Sequence, residues 1–280
     1  MTWLQALIAG IIQGLTEFLP VSSSGHLVIF NSLLGDYGGG SLTFTVFLHL
    51  ATLLSVAIMF WRDILMLARE FFALLRDMLR GKFHFNTPER RFLLMVIVGT
   101  IPAALGGLII SRFGLDVLEN VFVVAFMLLV TAALMFSIDH LSRRGKYTEA
   151  NAPYRSAWLV GLMQMVAIFP GLSRSGSTIF GGVLGGLRRD FAVRYAFILS
   201  IPAIVGAGLL EGIGAMRTGE IGVDNPLYWL IGFVAAALCG IVAIKCIKLL
   251  MQSKKFWIFG IYCLVASSLA FLIGFGILGR

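Results

Sequence analysis

The chain has 280 residues, 59% of them hydrophobic and only 13% charged, with a net charge of +8 and a mean hydropathy of +0.93. So little polar surface cannot clothe a water-soluble globule, which excludes a soluble domain and indicates a polytopic membrane protein. Four scattered histidines, none at a spacing typical of zinc ligands, give no sign of a soft-metal centre.

The first apolar run, residues 3–19, is interrupted by Glu17 and stopped by Pro20. It has no basic leading region and no small-residue cleavage site, so it is expected to stay in the mature protein rather than act as a signal peptide. Six later runs are long enough to cross about 30 Å of hydrocarbon as helices: residues 42–61, 92–111, 117–138, 191–210, 227–250 and 256–278. After the first of these, Arg62-Asp63, Arg69-Glu70 and Arg76-Asp77 recur every seven residues, which predicts an interfacial helix with one charged stripe. Cys239, Cys246 and Cys263 all fall inside predicted spans. The first two lie about 10 Å apart along one helix, too far for a disulfide.

Lysine and arginine placement orients the chain. If the segment after Trp61 is cytoplasmic, 18 of the 22 basic residues lie inside, in residues 62–91, 143–155, 188–194 and 245–255, while Arg112, Arg217 and Arg280 lie outside. The positive-inside rule selects that orientation. The positive charge therefore reports topology, and no nucleic-acid partner is expected.

Two stretches nearly repeat one another: residues 10–25 read GIIQGLTEFLPVSSSG and residues 161–176 read GLMQMVAIFPGLSRSG. Each has a Gly, a Gln three residues on, an apolar run, a Pro and a Ser-rich turn. The first precedes the first span on the outer side; the second lies between two cytoplasmic segments. They are thus expected to be re-entrant hairpins dipping in from opposite faces, the inverted-repeat arrangement in which broken helices aim their ends at a polar ligand. Ile101-Pro102-Ala103 with Gly106 and Ile201-Pro202-Ala203 with Gly206 form a second echo. The expected fold is an all-α polytopic membrane protein: six transmembrane helices plus two re-entrant helical hairpins in an inverted-topology repeat. Its halves, residues 1–138 and 156–280, are joined by a cytoplasmic loop, 139–155.

The repeats carry the chemistry. Gln13 and Glu17, at i and i+4, share a helix face, and after Pro20 come Ser22, Ser23, Ser24, Gly25 and His26. Hydroxyls and free N–H groups at a new helix start form an anion-binding nest at the positive end of the helix dipole. The second hairpin supplies Ser173, Arg174, Ser175, Gly176, Ser177 and Thr178, its arginine offering a planar fork suited to phosphate. A plain neutralising pair of Glu17 with Arg174 would not need a Ser-rich turn on both sides, since such a pair can give way to apolar residues at little loss. Two facing nests, one with an acid and an imidazole, describe a phosphate site. Glu17, Ser23, His26 and Arg174 are the candidate catalytic residues, with Ser23 and His26 both open as nucleophile. Gln13, Ser22, Ser24, Gly25, Ser173, Ser175, Gly176 and Thr178 are the candidate phosphate contacts. His49, mid-span, reads either as a histidine hydrogen-bonded within the bundle or as one lining the cavity near the hairpins, and it is left off the candidate site. The segment Asp36-Tyr37-Gly38-Gly39-Gly40 reads as a flexible outer loop, a lid over the substrate entrance.

The segment QGLTEFLPVSSSGH resembles the first signature of bacterial undecaprenyl-pyrophosphate phosphatases, the bacitracin-resistance family, and PGLSRSGST resembles their second. The similarity runs over essentially the whole chain. It implies removal of the terminal phosphate of undecaprenyl pyrophosphate, recycling the carrier lipid of cell-wall synthesis, in the bacterial plasma membrane with the site open to the outer face. It also implies a divalent cation, Mg²⁺ or Ca²⁺, held by Glu17. Gln13 stands where the family's Glu/Gln-x-x-x-Glu pattern varies, leaving one carboxylate, so the cation would lean on substrate oxygens and water. The expected partners are a polyprenyl pyrophosphate, membrane lipids and a second copy in a homodimer. A polyprenyl-phosphate transporter or flippase is the alternative that inverted repeats admit. The acid-phosphatase-like lipid phosphatases, which also carry SGH and SR elements, place a His six residues after the Arg; here that residue is Phe180, and the match fails.

Overall fold

The computed structural model describes residues 1–34, 42–81, 87–113, 120–218, 225–253 and 255–278. The segment 36–40, His84 and the acidic residues Glu220 and Asp224 lie outside the described residues. Eleven α-helices follow in order among the described residues: α1 (Trp3–Phe18), α2 (Ser23–Leu34), α3 (Leu42–Met59), α4 (Trp61–Leu79), α5 (Pro88–Phe113), α6 (Val121–Leu141), α7 (Tyr154–Val166), α8 (Arg174–Leu184), α9 (Arg189–Thr218), α10 (Pro226–Ser253) and α11 (Trp257–Gly274). The chain is an all-α, multi-pass membrane protein. Five helices, α5, α6, α9, α10 and α11, are each long and apolar enough to cross a bilayer. The sixth expected span, α3, has 18 residues, about 27 Å at 1.5 Å per residue. It turns by 87° into α4.

That turn explains the sevenfold charge pattern. α4 has no buried residue, and Phe72 and Leu79 are 69% and 90% exposed, as suits a helix lying on a membrane surface. Its acidic members are not merely solvated. Asp63 accepts from Arg194 on α9 at 2.6 Å, while Glu70 and Asp77 accept from Arg90 at the start of α5 at 3.2 and 2.7 Å. Arg194 also reaches Glu149, and Arg189 reaches Asp139 at 2.8 Å. The loop between α6 and α7, the whole of α4 and the starts of α5 and α9 therefore share one face, the one to which the charge bias assigns the cytoplasm.

The two short hairpins, α1–α2 and α7–α8, are wedged into this frame. α1 is fixed at its start by a capping box in which the Thr2 side chain accepts from Gln5 N and Gln5 accepts from Thr2 N. It ends at extended Leu19, since a residue before proline is pushed out of the α region. α1 runs along α10, and α7 runs along α5. The glycines that head each sequence repeat make these seams. A Cβ on Gly10 would lie 2.3 Å from Gly232 O on α10, and one on Gly161 would lie 2.3 Å from Gly99 O on α5. Small residues give membrane helices their close approach, where apolar burial supplies no drive between them. The echo at Pro102 and Pro202 does not share this logic. Pro102 is in α5, which carries α7, whereas Pro202 is in α9, which packs on α3, α8 and α5; the two prolines occupy different packing environments.

Gly10→Ala and Gly161→Ala each push Cβ into a neighbouring backbone carbonyl and should destabilise the folded protein by about 1–3 kcal/mol. Gly107→Ala, with nothing within 4 Å of its Cβ, should be neutral or stabilising by about 0.5–1 kcal/mol. Unfolding of the three variants in detergent measures the contrast.

Candidate active site

The site forms where the hairpin tips meet. α2 and α8 each begin just past a proline, with Ser22 and Ser173 as their leading hydroxyls. Ser22 Oγ accepts from Gly25 N at 3.2 Å, and Ser173 Oγ accepts from Gly176 N at 3.1 Å, the serine N-cap bond in both cases. The N–H groups of Ser23, Ser24, Arg174 and Ser175 have no protein acceptor among the described residues, as the first turn of a helix requires. Ser22 holds φ = +71°, the left-handed region, a cost of about 1–3 kcal/mol for a non-glycine residue that surrounding structure must impose. The Pro170 turn passes through Gly171 at φ = +90°, where a Cβ would sit 2.5 Å from Val124 O on α6.

Four contacts join the hairpins. Arg174 Nη2 donates to Glu17 Oε1, Ser175 Oγ donates to Leu19 O at 3.2 Å, Gly171 N donates to Ser24 Oγ at 3.4 Å, and Gly25 packs against Gly171. Around Glu17 the grouping is dense. Its Oε2 accepts from Gln13 Nε2 at 2.9 Å and from Ser23 Oγ at 2.7 Å. His49 Nε2 on α3 lies 3.6 Å from the same oxygen. Arg174 Nη1 also reaches Ser200 O on α9, at 3.5 Å. Gln13 and Glu17 are buried, so the bundle holds a carboxylate, a guanidinium and a serine hydroxyl in direct contact at membrane depth.

The remaining residues divide. Ser173 N donates to Thr131 Oγ1 at 3.0 Å, and that hydroxyl donates to Gly171 O at 3.1 Å, so α6 pins the second turn. Ser173 and Ser175 hydroxyls lie 3.2 Å apart, close to the free N–H pair. Thr178 turns back, its hydroxyl donating to Arg174 O at 2.8 Å, so it braces the first turn of α8 rather than facing the site. Gly176 meets Met135 and Ser173 and acts by allowing close packing.

His26 is held away from Glu17. Its Nδ1 lies 2.7 Å from Ser22 O; a carbonyl can only accept, so Nδ1 carries the proton. Nε2 is then the free nitrogen, and it sits 2.8 Å from the Tyr262 hydroxyl on α11, with the two rings stacked 5.4 Å apart. Ser23 and His26 are one turn apart on α2, hence on one face, but Ser23 alone touches Glu17.

Sequence reasoning left His49 off the site and did not reach Tyr262, Thr131 or Ser200. His49 offered one signal, an imidazole in the middle of an apolar span. The others are ordinary helix residues in the sequence, and only the packing of α6, α9 and α11 around the hairpins selects them.

For a divalent cation the donor set is sparse. Among the described residues no cluster of three His, Cys, Asp or Glu side chains exists. Gln13 Oε1, however, is buried without a hydrogen-bond partner beside Glu17, which is the kind of hard oxygen that Mg²⁺ or Ca²⁺ accepts alongside water and substrate oxygens. The residues present fit a cation held largely by its substrate. In the second hairpin, Gln164 stands where Gln13 stands in the first, and it is buried with neither amide atom bonded.

Removing the carboxylate by Glu17→Ala strands the Arg174 guanidinium and should cost about 3–5 kcal/mol. The double variant Glu17→Ala/Arg174→Ala should cost less than the sum of the singles, and denaturant titration in micelles measures the cycle.

Compared with known proteins, residues 6–269 match the family described as "Bacitracin resistance protein BacA". The chain is 39% identical over 282 residues to a protein of Methanosphaera stadtmanae named "Undecaprenyl-diphosphatase", covering 96% of this chain and 97% of that one. It is 38% identical to the protein of the same name from Thermosipho africanus, over 96% of this chain and 99% of that one. It is 40% identical to that of Halothermothrix orenii, over 96% and 97%.

Proposed function

The chain belongs to the bacitracin resistance protein BacA family, and from that membership together with the site geometry we propose that it hydrolyses undecaprenyl pyrophosphate to undecaprenyl phosphate and inorganic phosphate. The observation that carries the reading is the contact set on Glu17, which brings Ser23 Oγ, Arg174 and Gln13 onto one buried carboxylate across two chain segments. The relatives' shared name supplies the substrate; the nests supply the place for its diphosphate.

In this reading the terminal phosphate docks between the starts of α2 and α8. The free N–H groups of Ser23, Ser24, Arg174 and Ser175 and the Arg174 fork take up charge on the phosphoryl oxygens, which is most of what phosphoryl transfer asks of a protein. Ser23 Oγ attacks phosphorus, Glu17 Oε2 receives its proton, and the P–O bond to the lipid phosphate breaks, leaving undecaprenyl phosphate and a phosphoserine. Water then cleaves the phosphoserine. His26, one turn from Ser23 with Nδ1 protonated and Nε2 free, takes a proton from that water once it leaves Tyr262. Gln13 Oε1 and Glu17 would hold the divalent cation, which when bound neutralises charge on the diphosphate.

The first hairpin precedes α3, whose far end bends into α4 on the basic face. The positive-inside rule supports reading the catalytic mouth as facing the outer side of the bacterial plasma membrane, where a spent carrier lipid would be recycled for cell-wall synthesis. The halves 1–138 and 156–280 are read as inverted repeats whose hairpins enter from opposite faces.

Purified protein given a polyprenyl pyrophosphate and Mg²⁺ should release inorganic phosphate. Arg174→Ala should lower kcat about 10²–10³-fold, and Ser23→Ala should abolish turnover. His26→Gln should keep the first step and accumulate a phosphate ester on Ser23, read by intact-mass measurement after rapid quench. A silent wild type that moves polyprenyl phosphate across liposomes would overturn the hydrolase in favour of a transporter. Ser23→Ala with full activity would overturn the nucleophile.

A further inference from the structure

We propose that the elbow between α3 and α4 is a binding site for an anionic phospholipid headgroup, separate from the diphosphate site. A cavity of about 650 Å³ opens there, lined by residues of α3, α4, α9 and α10 that include Phe60, Arg62, Asp63, Arg194 and Lys248. Its position is what a lipid needs. The 87° bend is where the chain leaves the apolar span and lies down as an interfacial helix, and the half-exposed Trp61 at the bend marks headgroup depth, where tryptophan belongs.

The lining carries Arg62, Arg194 and Lys248 against Asp63 and Asp190, one positive charge in excess. Asp63 is already bonded to Arg194 at 2.6 Å, Arg194 also holds Glu149 at 3.1 Å, and Asp190 is paired with Arg188 at 3.3 Å. Lys248 and Arg62 rest on ring faces, and Asp63 acts on Lys248 only through space. Lys248 Nζ lies 4.2 Å from the Phe60 ring centroid and Arg62 Cζ 5.4 Å from that of Trp61, and neither forms an ion pair among the described residues. Two cations held on aromatic faces over an apolar floor of Met59, Phe60 and Met251 complement a phosphodiester whose acyl chains continue into the bilayer. A soluble anion would satisfy the cations but leave that floor uncovered. Basic pockets between helices on the cytoplasmic side are the general form of such lipid sites. A neighbouring cavity of about 520 Å³, which shares Asp190 and Met251 and includes Arg143, extends the positive surface.

The test uses delipidated full-length protein titrated with phosphatidylglycerol, phosphatidylcholine or glycerol 1-phosphate, with bound lipid counted by native mass spectrometry and unfolding followed thermally. Phosphatidylglycerol should bind and raise the unfolding temperature, while phosphatidylcholine and glycerol 1-phosphate should do neither. Each basic residue near an anionic lipid is worth about fivefold in affinity, so Arg62→Gln/Lys248→Gln should weaken phosphatidylglycerol binding about thirtyfold and retain wild-type phosphate release. If that pair unfolds, Lys248→Gln alone should still show about a fivefold loss. Equal stabilisation by phosphatidylcholine, equal binding of glycerol 1-phosphate, or unchanged affinity in the variants would overturn the proposal.

Discussion

The ion pair between Glu17 and Arg174 is the contact on which the rest of the structure turns. Neither charge would be tolerable alone at membrane depth, where insertion of an Arg or Asp costs about 2.5–3.5 kcal/mol, and neither hairpin is long enough to span. Each broken helix ends in backbone groups that hydrocarbon cannot satisfy. The serine turns meet that demand locally, through Ser22 on Gly25 and Ser173 on Gly176. Thr131 adds support from α6 through its bonds to Ser173 and Gly171. Once the turns are satisfied, the charges can be brought together across the tips of the two hairpins.

Holding two short hairpins against full spans without apolar burial as a driving force requires backbone contact. Gly10 on Gly232 and Gly161 on Gly99 supply it at equivalent places in the two repeats, which gives the sequence spacing a physical meaning: the glycine sets the seam, the glutamine three residues on faces inward, and the proline fixes where the helix must stop. The basic face then locks the frame from one side, with α4 fastened by its three acids to Arg90 and Arg194. Phe18 on α1, Phe197 on α9 and Phe60 at the α3–α4 elbow form a column with successive ring centroids 5.6 and 5.8 Å apart.

Much of this was legible in the sequence because polar or helix-breaking residues in an apolar chain must be explained. Pro20, Pro170, the serine runs, Glu17 and Arg174 stand out for that reason, and the sevenfold acid-base pattern gave α4 its surface position. The partners of those acids were not legible, since Arg90 and Arg194 are 13 to 131 residues away from them in sequence. Nor was the position of His26. Its neighbour Tyr262 is 236 residues distant, and nothing in a motif says which way an imidazole will turn. The Pro102 and Pro202 echo misled because glycine and proline are frequent in membrane helices, so a short match between spans carries little information until packing assigns their neighbours.

The same density of contacts that makes the site recognisable also constrains how it can work. Every oxygen of Glu17 is engaged in this arrangement, by Arg174 on one and by Gln13 and Ser23 on the other. In the proposed reaction a phosphate entering the nests competes with Oε1 for the Arg174 guanidinium, and its greater charge and bidentate fit to the fork favour the exchange. In that reading Glu17 gives up its cationic partner while keeping Ser23 on Oε2, so the same carboxylate stays beside the proposed nucleophile. Under the proposed function the ion pair thus orients the arginine before substrate arrives and frees the carboxylate after it, so that one contact would serve both the fold of the free protein and the chemistry of the complex.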